Sequence, residues 1–147
     1  MELDFYSSMN ISSSALSAQR TRMNLISSNL ANANTTRTPE GGPYKRKDAV
    51  FAATPLEGSF AQTLDGATAQ HARKVEVMEI VEDKNPPRLQ YDPGHPDANP
   101  QGYVAMPNVN VVEEMADMIS ATRSYEANVT AVQAAKSMAM KALEIGK

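Results

Sequence analysis

The chain contains no cysteine and no tryptophan. Without cysteine there is no disulfide framework, no thiolate metal site and no cysteine nucleophile. That absence suits a chain that travels unfolded and assembles in an oxidising space. Aromatic residues are few, five Tyr and three Phe among 147 residues. No stretch approaches the length of apolar sequence that crosses a bilayer, so no membrane span is expected. The opening Met1-Glu2-Leu3-Asp4 is acidic and no apolar run follows it, so no cleaved signal peptide is expected. A net charge of −3 argues against a general nucleic-acid or membrane-surface binder. The one basic cluster, Lys45-Arg46-Lys47, reads as a solvated loop.

Proline and glycine are missing from both ends. All nine prolines and six of the seven glycines lie between Pro39 and Pro107. This partition predicts a mainly α protein in three parts. Residues 1–38 hold an N-terminal helix, 39–107 an irregular, β-containing insert and 108–147 a C-terminal helix. The expected fold pairs the two helices as an antiparallel, coiled-coil-like bundle with the loop-rich insert between them. About 65 residues of insert would bury only a modest core.

In the first segment Met9, Leu16, Met23 and Leu30 recur every seven residues. The companion row is Phe5, Ser12, Gln19, Ile26 and Ala33. A strict seven-residue repeat favours a left-handed supercoil with a partner helix. Asp4 is a candidate cap at the start. Asn32 or Asn34 is a candidate terminator, because Asn tolerates the left-handed conformation. Eight Ser and five Asn before residue 35 lower intrinsic helicity, since their side chains compete for the backbone. The segment is expected to order when it finds partners.

The second segment opens with Asn110 and Glu113 at capping-box spacing. Val111, Met118, Tyr125, Val132 and Ala139 form one heptad row, and Met115, Thr122, Val129, Lys136 and Leu143 the other. Acids stand at its start and lysines near its end, which complements the helix dipole. Ala121, Ala127, Ala131, Ala134, Ala135 and Ala142 allow close approach of helices on more than one side.

Within the insert, Pro39-Glu40-Gly41-Gly42-Pro43 is a turn. Residues 44–53 and 74–82 are candidate strands. In the latter, Val75 and Val77 alternate with charges before the phase flips to Met78 and Ile80, which suggests a bulge. Arg88–Tyr91 and Tyr103–Met106 are short extended pieces, and residues 57–72 read as a loop. Asp92, His95 and Asp97 could be drawn as a metal site, but prolines interrupt them and no second His or any Cys completes a set. No phosphate-binding glycine loop and no nucleophile motif is present. No catalytic residue, metal or cofactor is assigned, and no enzyme is expected.

Both ends carry recognisable runs. Ala15-Leu16, Arg20, Ile26-Ser27-Ser28-Asn29-Leu30-Ala31-Asn32 and Thr35-Thr36 form the first. The second is Val111-Val112-Glu113-Glu114-Met115, Met118-Ile119 and Arg123-Ser124-Tyr125-Glu126-Ala127-Asn128. Together they resemble the terminal motifs of bacterial flagellar rod and hook proteins. Tyr91-Asp92-Pro93-Gly94-His95-Pro96-Asp97-Ala98-Asn99, with Gly102-Tyr103-Val104 and Pro107-Asn108-Val109-Asn110, is similar to the short proximal-rod members of that family.

The resemblance implies a structural subunit of the basal-body rod. It would polymerise through its terminal helices into a hollow, torque-transmitting shaft across the periplasm. Export would run through the flagellar type III apparatus. Partners would be other copies, other rod proteins, the rod-base junction protein and the membrane-supramembrane ring. The subunit-packing residues expected from the rows are Met9, Leu16, Met23, Ile26, Leu30, Val111, Met115, Met118, Tyr125, Val129, Val132 and Leu143. Each such side chain, once buried, contributes about 1.5–3 kcal/mol. Asn29, Asn32, Arg123, Glu126 and Asn128 are the polar motif positions, and intersubunit hydrogen bonds are expected of them. Two other readings share parts of this pattern. A soluble helical-hairpin adaptor or secreted coiled-coil protein would have self-sufficient helices. A small enzyme on the insert would need a polar pocket.

Overall fold

The computed structural model describes residues 2–55 and 73–145. The expected loop at 57–72 lies outside them. Helix α1 runs Glu2–Ala31, strands follow at β1 Lys47–Pro55, β2 Arg73–Glu82, β3 Arg88–Tyr91 and β4 Tyr103–Met106, and helix α2 runs Val111–Ile145. β1 pairs with β2 and β3 with β4, as two antiparallel two-stranded sheets. Arg88 faces Met106 and Tyr91 faces Tyr103 in the second sheet.

The ends of the helices follow from local chemistry. Asn110 caps α2, its side-chain oxygen accepting the Val112 N–H at 3.1 Å while its carbonyl accepts the Glu114 N–H at 3.0 Å. Glu113 and Glu114 lie in the first turn, where the dipole favours negative charge. α1 does not end through a left-handed Asn. No described non-glycine residue has positive φ. Instead the Asn32 amide donates to the Ser28 carbonyl at 2.9 Å, and the Thr35 hydroxyl donates to the Asn32 side chain at 3.2 Å. Gly41 and Gly42, at φ 90 and 80, then turn the chain.

The expected coiled-coil bundle is overturned: the protein is mixed helix and sheet, with two long helices and two small sheets. The physical reason is visible in what is buried. A coiled-coil seam needs rows of large apolar knobs. Of the expected row residues Ile26 is buried, whereas Met9, Val111, Met115 and Leu143 are exposed. The most buried positions of α2 are Glu114, Ala121 and Ala135, a heptad-spaced row of small and polar side chains. Strand β2 also departs from expectation. Val75, Val77 and Val81 are partly covered, as is Lys74, and Met78 and Ile80 are exposed, so the apolar residues after Val77 do not move to the covered side.

The chain divides into two compact units. The first comprises Met1–Thr21, Phe51–Met78 and Ala121–Lys147. The second comprises Arg22–Val50 and Glu79–Ser120. Val104, Val109 and Pro107 are buried in the second unit, with Ile26, Asn29, Ala33 and Glu114.

Candidate functional site: a buried polar node and an exposed helix face

The second unit is organised around Asn29, which is 1% exposed. Its amide nitrogen donates to the Lys47 carbonyl at 2.9 Å and to Glu114 Oε2 at 3.1 Å. Its side-chain oxygen accepts the Lys47 N–H at 2.9 Å and the Tyr44 hydroxyl at 3.0 Å. An Asn side chain has two donors and two acceptor positions, and all are used. The paired bonds to Lys47 treat the side chain as a strand neighbour and hold the start of β1 against α1. The turn at Gly41 and Gly42 makes this possible by bringing Tyr44–Lys47 back along the chain.

Glu114, also 1% exposed, takes up the other side of the node. Its Oε1 accepts the Arg46 Nε–H at 2.6 Å. Arg46 lies 3.3 Å from Asp48 and 3.9 Å from Asp117, and Arg22 lies 3.6 Å from Asp117. Partial burial works against the guanidinium charge, but the hydrogen bond and charge of Glu114, with Asp48, outweigh it. The Arg46 pKa is raised above its ordinary value. A buried carboxylate is tolerable when paired and hydrogen-bonded, and Glu114 is both.

The basic cluster is therefore solvated only in part: Arg46 turns to the buried Glu114, while the Lys45 and Lys47 side chains are 67% and 40% exposed. Lys45 and Lys47 lie 3.7 and 3.5 Å from Glu82, on either side of the bond from Arg46 to Glu114. Sequence reasoning also passed over Tyr44 and Glu114 as site residues. A signal for Glu114 was present: it stands seven residues before Ala121 and twenty-one before Ala135, on the small-residue row.

The loop between β3 and β4 is braced by its own side chains. Asp92 accepts the Gly94 N–H at 3.2 Å, and Asn99 accepts the N–H groups of Gln101 and Tyr103, each at 2.9 Å. His95 Nδ1 accepts the Asp97 N–H at 3.1 Å, and Asp97 accepts the Thr36 hydroxyl at 2.8 Å. These groups hold the loop rather than converge on a common point. Gly102 sits at φ +83, where an added Cβ would meet Tyr91 at 2.9 Å.

The other named positions divide by exposure. Leu16, Met23, Leu30, Met118, Tyr125, Val129 and Val132 are half-buried. Asn32 and Asn128 are half-buried and bond to Ser28 and Ser124 carbonyls of their own helices. Arg123 and Glu126 are exposed. On α2 a stripe of large apolar side chains faces outward: Val112 is 75%, Met115 55% and Ile119 57% exposed. Their spacing of three and four places them on one helix face.

Two family models fall on the helical ends. Residues 9–37 match the flagella basal body rod protein family, and residues 101–145 match the flagellar basal body rod FlgEFG protein C-terminal family. The class is thus that of flagellar basal-body rod proteins. Relatives match along nearly the whole chain. The flagellar basal-body rod protein FlgC of Bacillus subtilis is 48% identical and that of Borreliella burgdorferi 47%, each match covering 97% of this chain and 98% of the relative. FlgC of Salmonella typhimurium is 42% identical over 93% of this chain and 94% of its own. The chain belongs to the FlgC family of flagellar basal-body rod proteins, and it is a structural subunit of that rod. Asn29 falls in one matched segment and Glu114 in the other, so the node joins the two.

Proposed function

We propose that the subunit polymerises through its terminal helical parts, 1–38 and 108–147, into a hollow shaft that transmits torque, while 39–107 meets surrounding components. The observation that carries this reading is the outward stripe Val112, Met115 and Ile119 on α2. A run of exposed large apolar side chains marks an interaction surface. Burying each contributes about 1.5–3 kcal/mol, repeated at every contact. The partners on this reading are other copies, other rod proteins, the rod-base junction protein and the membrane-supramembrane ring. Delivery is through the flagellar type III export apparatus to the periplasm. The role is mechanical and not enzymatic. Among the row residues, Leu16, Met23, Ile26 and Leu30 of α1 and Met118, Val129 and Val132 of α2 support the subunit contacts.

The test separates folding from assembly. Met115→Asp and Ile119→Asp change exposed positions, so the purified subunit should keep its circular dichroism and melting temperature. Cells relying on either variant should lack rods and motility while still exporting the chain. Normal rods in both variants would sink the reading.

A further inference from the structure

Resting on that reading, we propose that the Met115 thioether is a peroxide-sensitive modification site whose oxidation hinders the free subunit from assembling. The chain has nine methionines but no cysteine and no tryptophan. Methionine sulfur is then the group that a mild oxidant meets. Met9, Met78, Met115, Met138 and Met140 are exposed, whereas Met23, Met106 and Met118 are half-buried. Met115 and Met118 lie one turn apart on α2, so the helix carries its own internal control.

Position separates Met115 from the other exposed sulfurs of α2. It stands between Val112 and Ile119 in the outward apolar stripe. Met140 instead borders a shallow hollow with Gln133, Lys136, Ser137, Lys141 and Glu144, where an added oxygen has hydrogen-bond donors beside it.

The step needs only hydrogen peroxide. A sulfur lone pair attacks one peroxide oxygen, the S–O bond forms as the O–O bond breaks, and sulfur is oxidised while the peroxide is reduced. The leaving hydroxide takes the proton of the transferred hydroxyl and departs as water. The sulfoxide is polar, with a strong acceptor oxygen in the middle of the stripe. Burying an acceptor without a donor is unfavourable, so a contact built on the stripe is weakened. A covered stripe shields the sulfur, and the device therefore acts before assembly.

The first test treats the purified full-length subunit with dilute hydrogen peroxide and follows each methionine peptide by mass spectrometry. Sulfoxide should form at Met115 several-fold faster than at Met118. Equal rates, or a faster Met118, overturn the inference. The second test induces flagella under sublethal peroxide and counts rods against each strain's own untreated culture. Peroxide should lower the count several-fold in the parent and much less in Met115→Leu. The same loss in both strains overturns the inference. The third test sets a polar amide at each site: Met115→Gln should lose most rods, and Met140→Gln should keep them. Loss in both removes the special place of Met115 and overturns the proposal. Normal rods in Met115→Gln, with rods absent in Met115→Asp, overturn it and leave the rod reading standing. Normal rods in Met115→Gln, Met115→Asp and Ile119→Asp together overturn both.

Discussion

The two compact units bury different things. The second unit closes on a saturated polar node and a few well-covered residues, Val104, Val109, Pro107 and Ile26. Among the described residues the buried apolar side chains of the first unit are Ala18, Ala121 and Ala135, while Met138, Met140 and Leu143 of its helix are exposed. One unit has the internal bonds of a finished fold. The other buries small residues, covers Leu16, Tyr125, Val129 and Val132 only in part, and presents Met138, Met140 and Leu143 outward. The difference teaches that apolar content alone does not locate a core here. The large side chains of α2 are largely surface, and the small and polar ones lie inside.

The comparison breaks most readily at the node. Asn29→Asp would set a carboxylate where the amide now lies 3.1 Å from Glu114 Oε2, and it removes both donated hydrogen bonds. Glu114→Ala would take from Arg46 its buried partner and from the Asn29 amide one of its two acceptors. Losing one member of a buried pair costs about 3–5 kcal/mol, and the partial exposure of Arg46 sets this pair at the low end. Urea unfolding of the purified subunit checks both. A midpoint within error of the parent would show that the node does not hold the unit. Amide exchange should report the same loss at Lys47, whose N–H bonds to Asn29.

Next in size is Gly102→Ala. The residue lies at φ +83 with Tyr91 2.9 Å from the added carbon, and Tyr91 and Tyr103 already stack edge-on at 5.3 Å. Strain of this kind costs about 1–3 kcal/mol. Ala121→Leu tests the first unit in the same way. Ala121 is 0% exposed, and overfilling a close-packed position costs about 1–3 kcal/mol. Equal stability in this variant would mean the alanine row is not tightly packed. By contrast, Met140→Ser on the exposed side should shift stability by less than about 0.5 kcal/mol. The same denaturation series measures all three.

How much of this was legible in the sequence depends on the range of the interaction. Arg88–Tyr91 and Tyr103–Met106 fold as the strands their composition predicts, with matching bounds. Alternation placed β2 to within a residue of its start, and Asn110 marked the start of α2. These are local signals, set by turn residues, capping and side-chain alternation. The rows of Met, Leu and Val were legible as rows, but a period does not say which face is covered. Ala121 and Ala135 appeared among the close-approach alanines, and the structure buries both. The node was not legible because its bonds are long-range. Asn29 and Glu114 are 85 positions apart, and no periodicity joins them. Arg46 looked like one of three solvated cations because its partner carboxylate comes from the far helix.

The smallest expected effect is a pH dependence at the edge of the node unit. The Asp83 carboxyl is held below its ordinary value of 3.8, first by the backbone N–H of Asn85 and also by the side chain of Asn108 and the charge of Arg46. Asp83 also donates its own N–H to the Arg46 carbonyl at 2.8 Å, a bond that substitution of the side chain leaves available. A carboxyl with a lowered folded-state pKa favours the fold at pH above its unfolded value, and that contribution fades as pH falls through the lowered one. Asp83→Asn removes the titration and keeps an acceptor for Asn85. The melting temperatures of parent and variant should differ above pH 3.8 and draw together well below it, with the parent the more stable at the higher pH. A difference that stayed constant across that window would mean the charge of Asp83 contributes nothing and only its shape matters. Asp83 would then act as a plain turn residue, holding the Asn85 N–H by its side-chain oxygen at 2.9 Å.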